Sequence, residues 1–149
     1  MAPFRTTPFW RRTSILLVLC LLLTAPGIAR PSQVQVARQF LLAVLRGEYA
    51  VAYQLLAPEV QAAVTADGFR VAAQPLYAQG QRRGLPIDLY KLGYRIDEAN
   101  TVRNFYSFMF KSDTLAARPV VQLDVTFRDS TATRIQSFGL IPAPQTSGK

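Results

Sequence analysis

Between Gly80 and Pro86 the hydrophobic period of this sequence changes from about 3.6 residues to about 2, and that switch limits what the chain can fold into. Before it, apolar residues recur at three- and four-residue spacing. After it, they alternate. All helices therefore precede all strands, an α+β order in which an apolar helix layer covers one face of a sheet. The expected fold is α+β, with N-terminal helices packed on a curved four-stranded antiparallel sheet.

In the helical half, Val34, Ala37, Phe40/Leu41 and Val44/Leu45 form one stripe, with Gln35, Arg38, Gln39 and Arg46 opposite. Ser32 reads as the N-cap and Gly47 as the stop. Glu48 opens a second, short helix with Ala52, Leu55 and Leu56 on its apolar side and Tyr49 and Tyr53 one turn apart. Pro58 starts a further turn carrying Val60, Ala63 and Val64. Asp67 is the expected cap of a helix through Phe69, Ala72, Ala73, Leu76 and Tyr77, which Pro75 is expected to kink or split.

Four strands are expected at 89–96, 101–111, 120–128 and 132–141, the first weakened by Gly93. Short polar turns between them favour an antiparallel meander. In the third, Val121, Leu123, Val125 and Phe127 alternate with Gln122, Asp124, Thr126 and Arg128, so one face is buried and one is wet. The second places Tyr106, Phe108 and Phe110 in one row but loads the opposite face with Phe105 and Met109. In the fourth, strict alternation puts Ile135 and Ile141 with Ser137 and Gly139, and Phe138 and Leu140 on the other face. Both faces cannot meet the helices. Either these strands are not directly paired, or Phe105, Met109, Phe138 and Leu140 form an outer apolar patch that a partner covers, making them the candidate homodimer interface.

Residues 1–29 read as a signal peptide: Arg5, Arg11 and Arg12, then the apolar run Ile15 to Leu23, then Pro26-Gly27. Gly27 and Ala29 are small residues three and one before a cut, so cleavage is expected after Ala29, leaving a single domain at 30–141 and a flexible tail at 142–149. The apolar run has roughly half the length that a membrane span requires, so no span remains after cleavage; an uncleaved anchor is the runner-up. Leu19 stands where a lipid-accepting Cys20 would need a small residue, and Arg11-Arg12 lacks a twin-arginine continuation. The expected location is exported, periplasmic or extracellular. Without the leader, Lys+Arg falls from 17 to 14 against 9 acidic residues, so net charge falls from +8 to +5, and the only Cys and Trp are lost.

The chemistry available is narrow. There is no histidine, and Cys20 lies in the leader, which removes His-based triads, thiolate nucleophiles and zinc sites. Neither a phosphate-binding glycine loop nor an EF-hand spacing is present, so no metal or cofactor is expected. Asp67, Asp97, Glu98, Asp113 and Asp129 fall at caps or turns, Glu48 and Glu59 at helix starts, Asp124 on the wet strand face, and Asp88 at a solvated strand edge. Tyr53, Tyr77, Tyr94 and Tyr106, with Phe108 and Phe127, are candidates to line a ligand pocket. The blander alternative makes the tyrosines core residues whose hydroxyls reach the surface or a carbonyl. Residues Arg103 to Phe110 are similar to the base-stacking strand of RNA-recognition motifs, but the element order, Asn104 and Tyr106 depart from it, so nucleic acid is disfavoured. Arg82-Arg83 and the other arginines form a solvated basic surface able to favour an anionic polymer.

The run from Ala37 to Pro58 resembles the opening of the cone-shaped nuclear-transport-factor-two-like superfamily, in particular its small secreted bacterial members of unknown function. The shared pattern is an apolar helix, Gly47-Glu48-Tyr49, an alanine, Leu55-Leu56 and Pro58. That resemblance implies a cystatin-like roll enclosing a conical pocket, often dimerising through the outer sheet face. The superfamily's enzymes use pocket Asp, Tyr, His or Arg residues, and no such motif carries over, so no catalytic residue is assigned. The resulting reading is an exported, non-catalytic binding or interaction domain, a homodimer with a small apolar ligand or an envelope protein as partner. The alternatives are a small-molecule isomerase or dehydratase using pocket Tyr and Asp, and a basic surface binding an anionic polymer.

Overall fold

Helix α1 (Gln33–Arg46) starts where the sequence places its cap: the Ser32 hydroxyl accepts from the Gln35 N–H, and Gln35 Oε1 accepts the Ser32 N–H at 2.8 Å. It stops at Gly47, whose φ of 78° is a left-handed conformation that costs glycine little. The computed structural model describes residues 30–96, 99–116 and 118–142. The leader with its cleavage point after Ala29, Cys20, turn residues Asp97 and Glu98, and the tail from 143 lie outside the described residues.

Two short helices follow, α2 (Tyr49–Gln54) and α3 (Pro58–Ala63), the second opened by its proline. Helix α4 (Ala66–Arg83) is capped by Thr65, whose hydroxyl accepts the Gly68 N–H at 3.1 Å; Asp67, the expected cap, lies inside the first turn. There it complements the helix dipole and approaches Arg70 at 3.7 Å. Pro75 does not split α4. It sits on the exposed side, so the Val71 carbonyl deprived of its donor is open to water. Helices α1 and α4 approach closely at Gly80, where a Cβ would stand 2.9 Å from Leu45 Cδ2.

The strands β1 (Ile87–Ile96), β2 (Val102–Phe110), β3 (Val121–Phe127) and β4 (Ile135–Pro142) pair antiparallel in sequence order, and a 3₁₀ turn (Lys111–Asp113) follows β2. The protein is thus α+β, with four helices and a four-stranded antiparallel meander among the described residues. Two register shifts decide which side chains meet the helices. In β1 the shift falls between Leu89 and Lys91, so Ile87 and Leu89 share the inner face with Leu92, Tyr94 and Ile96. In β4 Gln136 is the extra residue, and Ile135 shares the inner face with Phe138 and Leu140.

That bulge corrects the expected placement of Phe138 and Leu140 on the outer face. Phe138 instead packs into the core, its ring centroid 5.1 Å from Phe40 and 5.4 Å from Phe69. The core is built from Phe40, Leu41, Val44 and Leu45 of α1, Phe69 and Leu76 of α4, and Phe108, Phe110, Leu123, Val125 and Phe127 of the sheet. Phe40, Phe108 and Phe127 are fully or almost fully buried and occupy the space between the layers. Ala57 N–H to the Ile135 carbonyl (2.8 Å) and Ile135 N–H to the Leu55 carbonyl (3.0 Å) tie β4 to the α2–α3 link.

Candidate functional site

Gln33, at the first turn of α1, is a buried polar node. Its Nε2 donates to the carbonyls of Asp129 (2.7 Å) and Ala132 (2.6 Å), while its Oε1 accepts from Asn104 Nδ2 (3.2 Å) and the Tyr106 hydroxyl (3.1 Å). All the hydrogen-bonding capacity of the amide nitrogen is used. Tyr106 and Asn104 face Leu92 and Tyr94 across the β1–β2 ladder, so the node marks a level on the inner face of the sheet. On the near side of that level, Ile87, Phe108 and Phe110 are at most 2% exposed and Leu89 is 39% exposed. At and beyond it, Leu92, Tyr94, Ile96 and Val102 are 61%, 72%, 65% and 51% exposed. These four side chains belong to the same inner row but have lost the helical cover.

The opposite face of this hairpin is polar and internally paired. Arg95 binds Asp124 at 3.0 Å and lies 5.0 Å over the Phe105 ring. The Ser107 hydroxyl donates to Asp124, and Thr126 bonds Ser137. Asp124, expected on a wet face, is buried because Arg95 and Ser107 supply its partners. Phe105 also covers Gly93, where a Cβ would stand 3.2 Å from the ring. Of the four residues expected to share the outer face, only Phe105 and Met109 lie there, both half-buried.

The six pocket candidates do not converge. Phe108 and Phe127 are core. Tyr53 donates its hydroxyl to the carbonyls of Gln61 (3.0 Å) and Val64 (2.7 Å), which fixes the α2–α3 corner. Tyr106 serves the Gln33 node, Tyr94 belongs to the exposed row, and Tyr77 is half-buried between α1 and α4. Asp88 lies on the edge strand β1 with its side chain 42% exposed, and there it pairs with Arg38 at 3.3 Å. Asp113 is buried, held by Arg83 at 2.9 Å and by the Val120 N–H at 3.1 Å.

Tyr77 does line a cleft, of about 600 Å³, together with Arg46, Gly47, Tyr49, Arg70, Val71 and Gln74. Tyr49 and Tyr77 stand 6.1 Å apart with ring planes tilted by 56°. The Tyr49 hydroxyl donates to Gln74 Oε1 at 3.2 Å. Burial pushes the Tyr49 phenol up from its ordinary pKa of 10.0, Tyr77 adds to the rise and Arg70 opposes it. Sequence reasoning paired Tyr49 with Tyr53 along one helix; its approach to Tyr77 depends on how α4 packs against α2, which local spacing does not encode.

No protein-family model and no curated protein matches this sequence. Among solved structures, the chain is similar to a solution NMR structure of a de novo designed β-sheet protein, at 16% identity over 78% of this chain and 93% of that one, with a TM-score of 0.34. A score that low carries no inference about fold or function.

Proposed function

We propose that this protein is an exported, non-catalytic interaction domain that works as a homodimer, and that a second copy covers the inner-face row Leu92, Tyr94, Ile96 and Val102. The observation that carries the reading is the exposure of that row by half or more of each side chain. An unburied strip of three aliphatic side chains and a tyrosine on one hairpin face is a surface that association shields from water. Facing its own copy, the strip is self-complementary about a twofold axis. Lys91 and Arg95 lie on the other face of β1, so the apolar sides meet without placing these charges against each other.

The wider reading keeps the resemblance to the cone-shaped superfamily, and the bulges in β1 and β4 support a sheet curved around the helices. It moves the interface from the outer face to the uncovered end of the inner face. The isomerase or dehydratase alternative loses its main support, because Phe40, Phe108 and Phe127 occupy the space a central pocket would need. Sedimentation velocity on the full chain over a concentration series tests the dimer. Wild type and Phe105→Asp are expected to dimerise and Leu92→Asp to stay monomeric; a monomeric wild type at every concentration overturns the proposal. Mass spectrometry of the exported protein is expected to find Arg30 as its first residue, and retention of residues 1–29 would contradict export by cleavage.

A further inference from the structure

The cleft between the end of α1 and the middle of α4 has no part in the proposed dimer, and its chemistry differs from that of the apolar row. We infer that the cleft of Arg46, Tyr49, Arg70, Gln74 and Tyr77 is a binding site for an acidic sugar, its carboxylate held by the two arginines and its ring seated on the two tyrosines.

None of the residues lining the cleft is acidic, and two are arginines. Arg46 has no ion-pair or hydrogen-bond partner among the described residues. Arg70 has only Asp67, at 3.7 Å, with its own side chain 62% exposed and that of Asp67 92% exposed. An ion pair so long and so wet holds neither charge firmly, which leaves the guanidinium available to a ligand. Guanidinium groups match carboxylates by paired N–H donors, the arrangement that lysines would not supply.

The floor of the cleft selects for the rest of the ligand. Tyr49 and Tyr77 both line the cleft and are tilted by 56° rather than stacked in parallel, so the C–H bonds of a puckered ring suit this aromatic wall better than a flat base that needs a parallel slot. Gln74 uses its carbonyl oxygen to accept the Tyr49 hydroxyl, leaving its amide N–H groups to donate to ring hydroxyls. Val71, more than two-thirds exposed, adds an apolar wall. The volume of about 600 Å³ lies within the range of small-molecule sites and accommodates a disaccharide.

A second hollow of about 330 Å³ lies on the other flank of Tyr49 and Arg70, lined by Ala50, Tyr53, Gln54, Ala66 and Asp67 as well. Asp67 makes that side the negative end. The acidic group therefore belongs at Arg46 and Arg70, with a neutral part of the sugar extending toward Asp67.

Isothermal titration calorimetry of the full chain at low salt, with an aldobiouronic acid (one glucuronic acid ring linked to one neutral hexose) as the probe, tests this. Binding that weakens with added salt, and that falls about tenfold or more in Arg46→Gln/Arg70→Gln, is expected, on the usual strength of charge-assisted hydrogen bonds. Both side chains are exposed, so the variant is expected to keep its fold, which circular dichroism checks. Arg82→Gln removes one positive charge from α4 outside the cleft and is expected to bind like wild type. The methyl-esterified disaccharide, with the same rings and no charge, is expected to bind at least tenfold more weakly. No heat with the acid, equal affinity for acid and ester, or equal losses in the Arg82 and Arg46/Arg70 variants would each overturn the assignment. Inorganic phosphate displacing the disaccharide at equal concentration would also overturn it, reducing the cleft to an unselective anion patch.

Discussion

The two ends of the β1–β2 hairpin carry the same kind of side chain on the same face and meet opposite fates. At the Ile87–Phe110 end, Ile87, Phe108 and Phe110 are sealed under the helices and Leu89 is 39% exposed; at the Ile96–Val102 end, Leu92, Tyr94, Ile96 and Val102 all stand in solvent by half or more. Alternation assigns a residue to a face, but burial depends on whether another layer reaches that far. Here the helical cover stops at the Gln33 node, whose four hydrogen bonds tie the start of α1 to β2 and to the β3–β4 turn.

The largest effect should separate the two ends directly. Phe108→Ala is expected to cost about 3–5 kcal/mol in urea denaturation, whereas Ile96→Ala in dilute solution should stay within about 0.5 kcal/mol of wild type. Similar costs at both positions would break the contrast. Next comes the boundary itself. Gln33→Leu strips partners from two carbonyls, the Asn104 amide and the Tyr106 hydroxyl, and is expected to cost about 1–3 kcal/mol by the same assay. A neutral outcome would mean that the node does not hold the edge of the helical layer.

The smallest effect concerns the turn that Gln33 grips. Asp129 accepts hydrogen bonds from the Thr131 hydroxyl and N–H and from the Ala132 N–H, and these, with Arg128 nearby, lower its pKa from 3.8 to about 2. A carboxylate whose folded pKa lies below its unfolded value stabilises the fold fully above pH 3.8, and that contribution is lost as pH falls through about 2. Asp129 is exposed to solvent, so the effect is small. Asp129→Asn should flatten the acid limb of the stability–pH curve between those values, and an unchanged limb would show that the turn is held by other contacts.

The parts of this architecture governed by neighbouring residues were legible in the sequence. Ser32 with Gln35, Gly47 and Pro58 mark helix ends through contacts within a few residues, and β3 declares its buried face by strict alternation. The bulge at Gln136 was not legible, because one extra residue reverses the faces of Phe138 and Leu140 without changing the composition of the strand. The burial of Asp124 depends on Arg95, 29 positions away, and becomes visible only once β1, β2 and β3 are in register. Thr65 and Asp67 are both good caps, and the helix takes the earlier one: the Phe69 N–H already bonds the Thr65 carbonyl, which places Asp67 inside the first turn. Pocket candidates chosen as tyrosines on apolar stripes dispersed for a related reason: a stripe does not distinguish a core ring, a carbonyl anchor such as Tyr53 and a surface ring such as Tyr94.

The most direct test of the central claim is the accessibility of the Leu92 and Ile96 methyl groups to a water-soluble spin label, measured by NMR on the full chain from dilute to concentrated protein. The expected result is strong line broadening of both residues in dilute solution that fades as dimer forms, while Leu123 stays protected throughout. Leu92 and Ile96 methyls that remain fully broadened in concentrated protein would contradict the account.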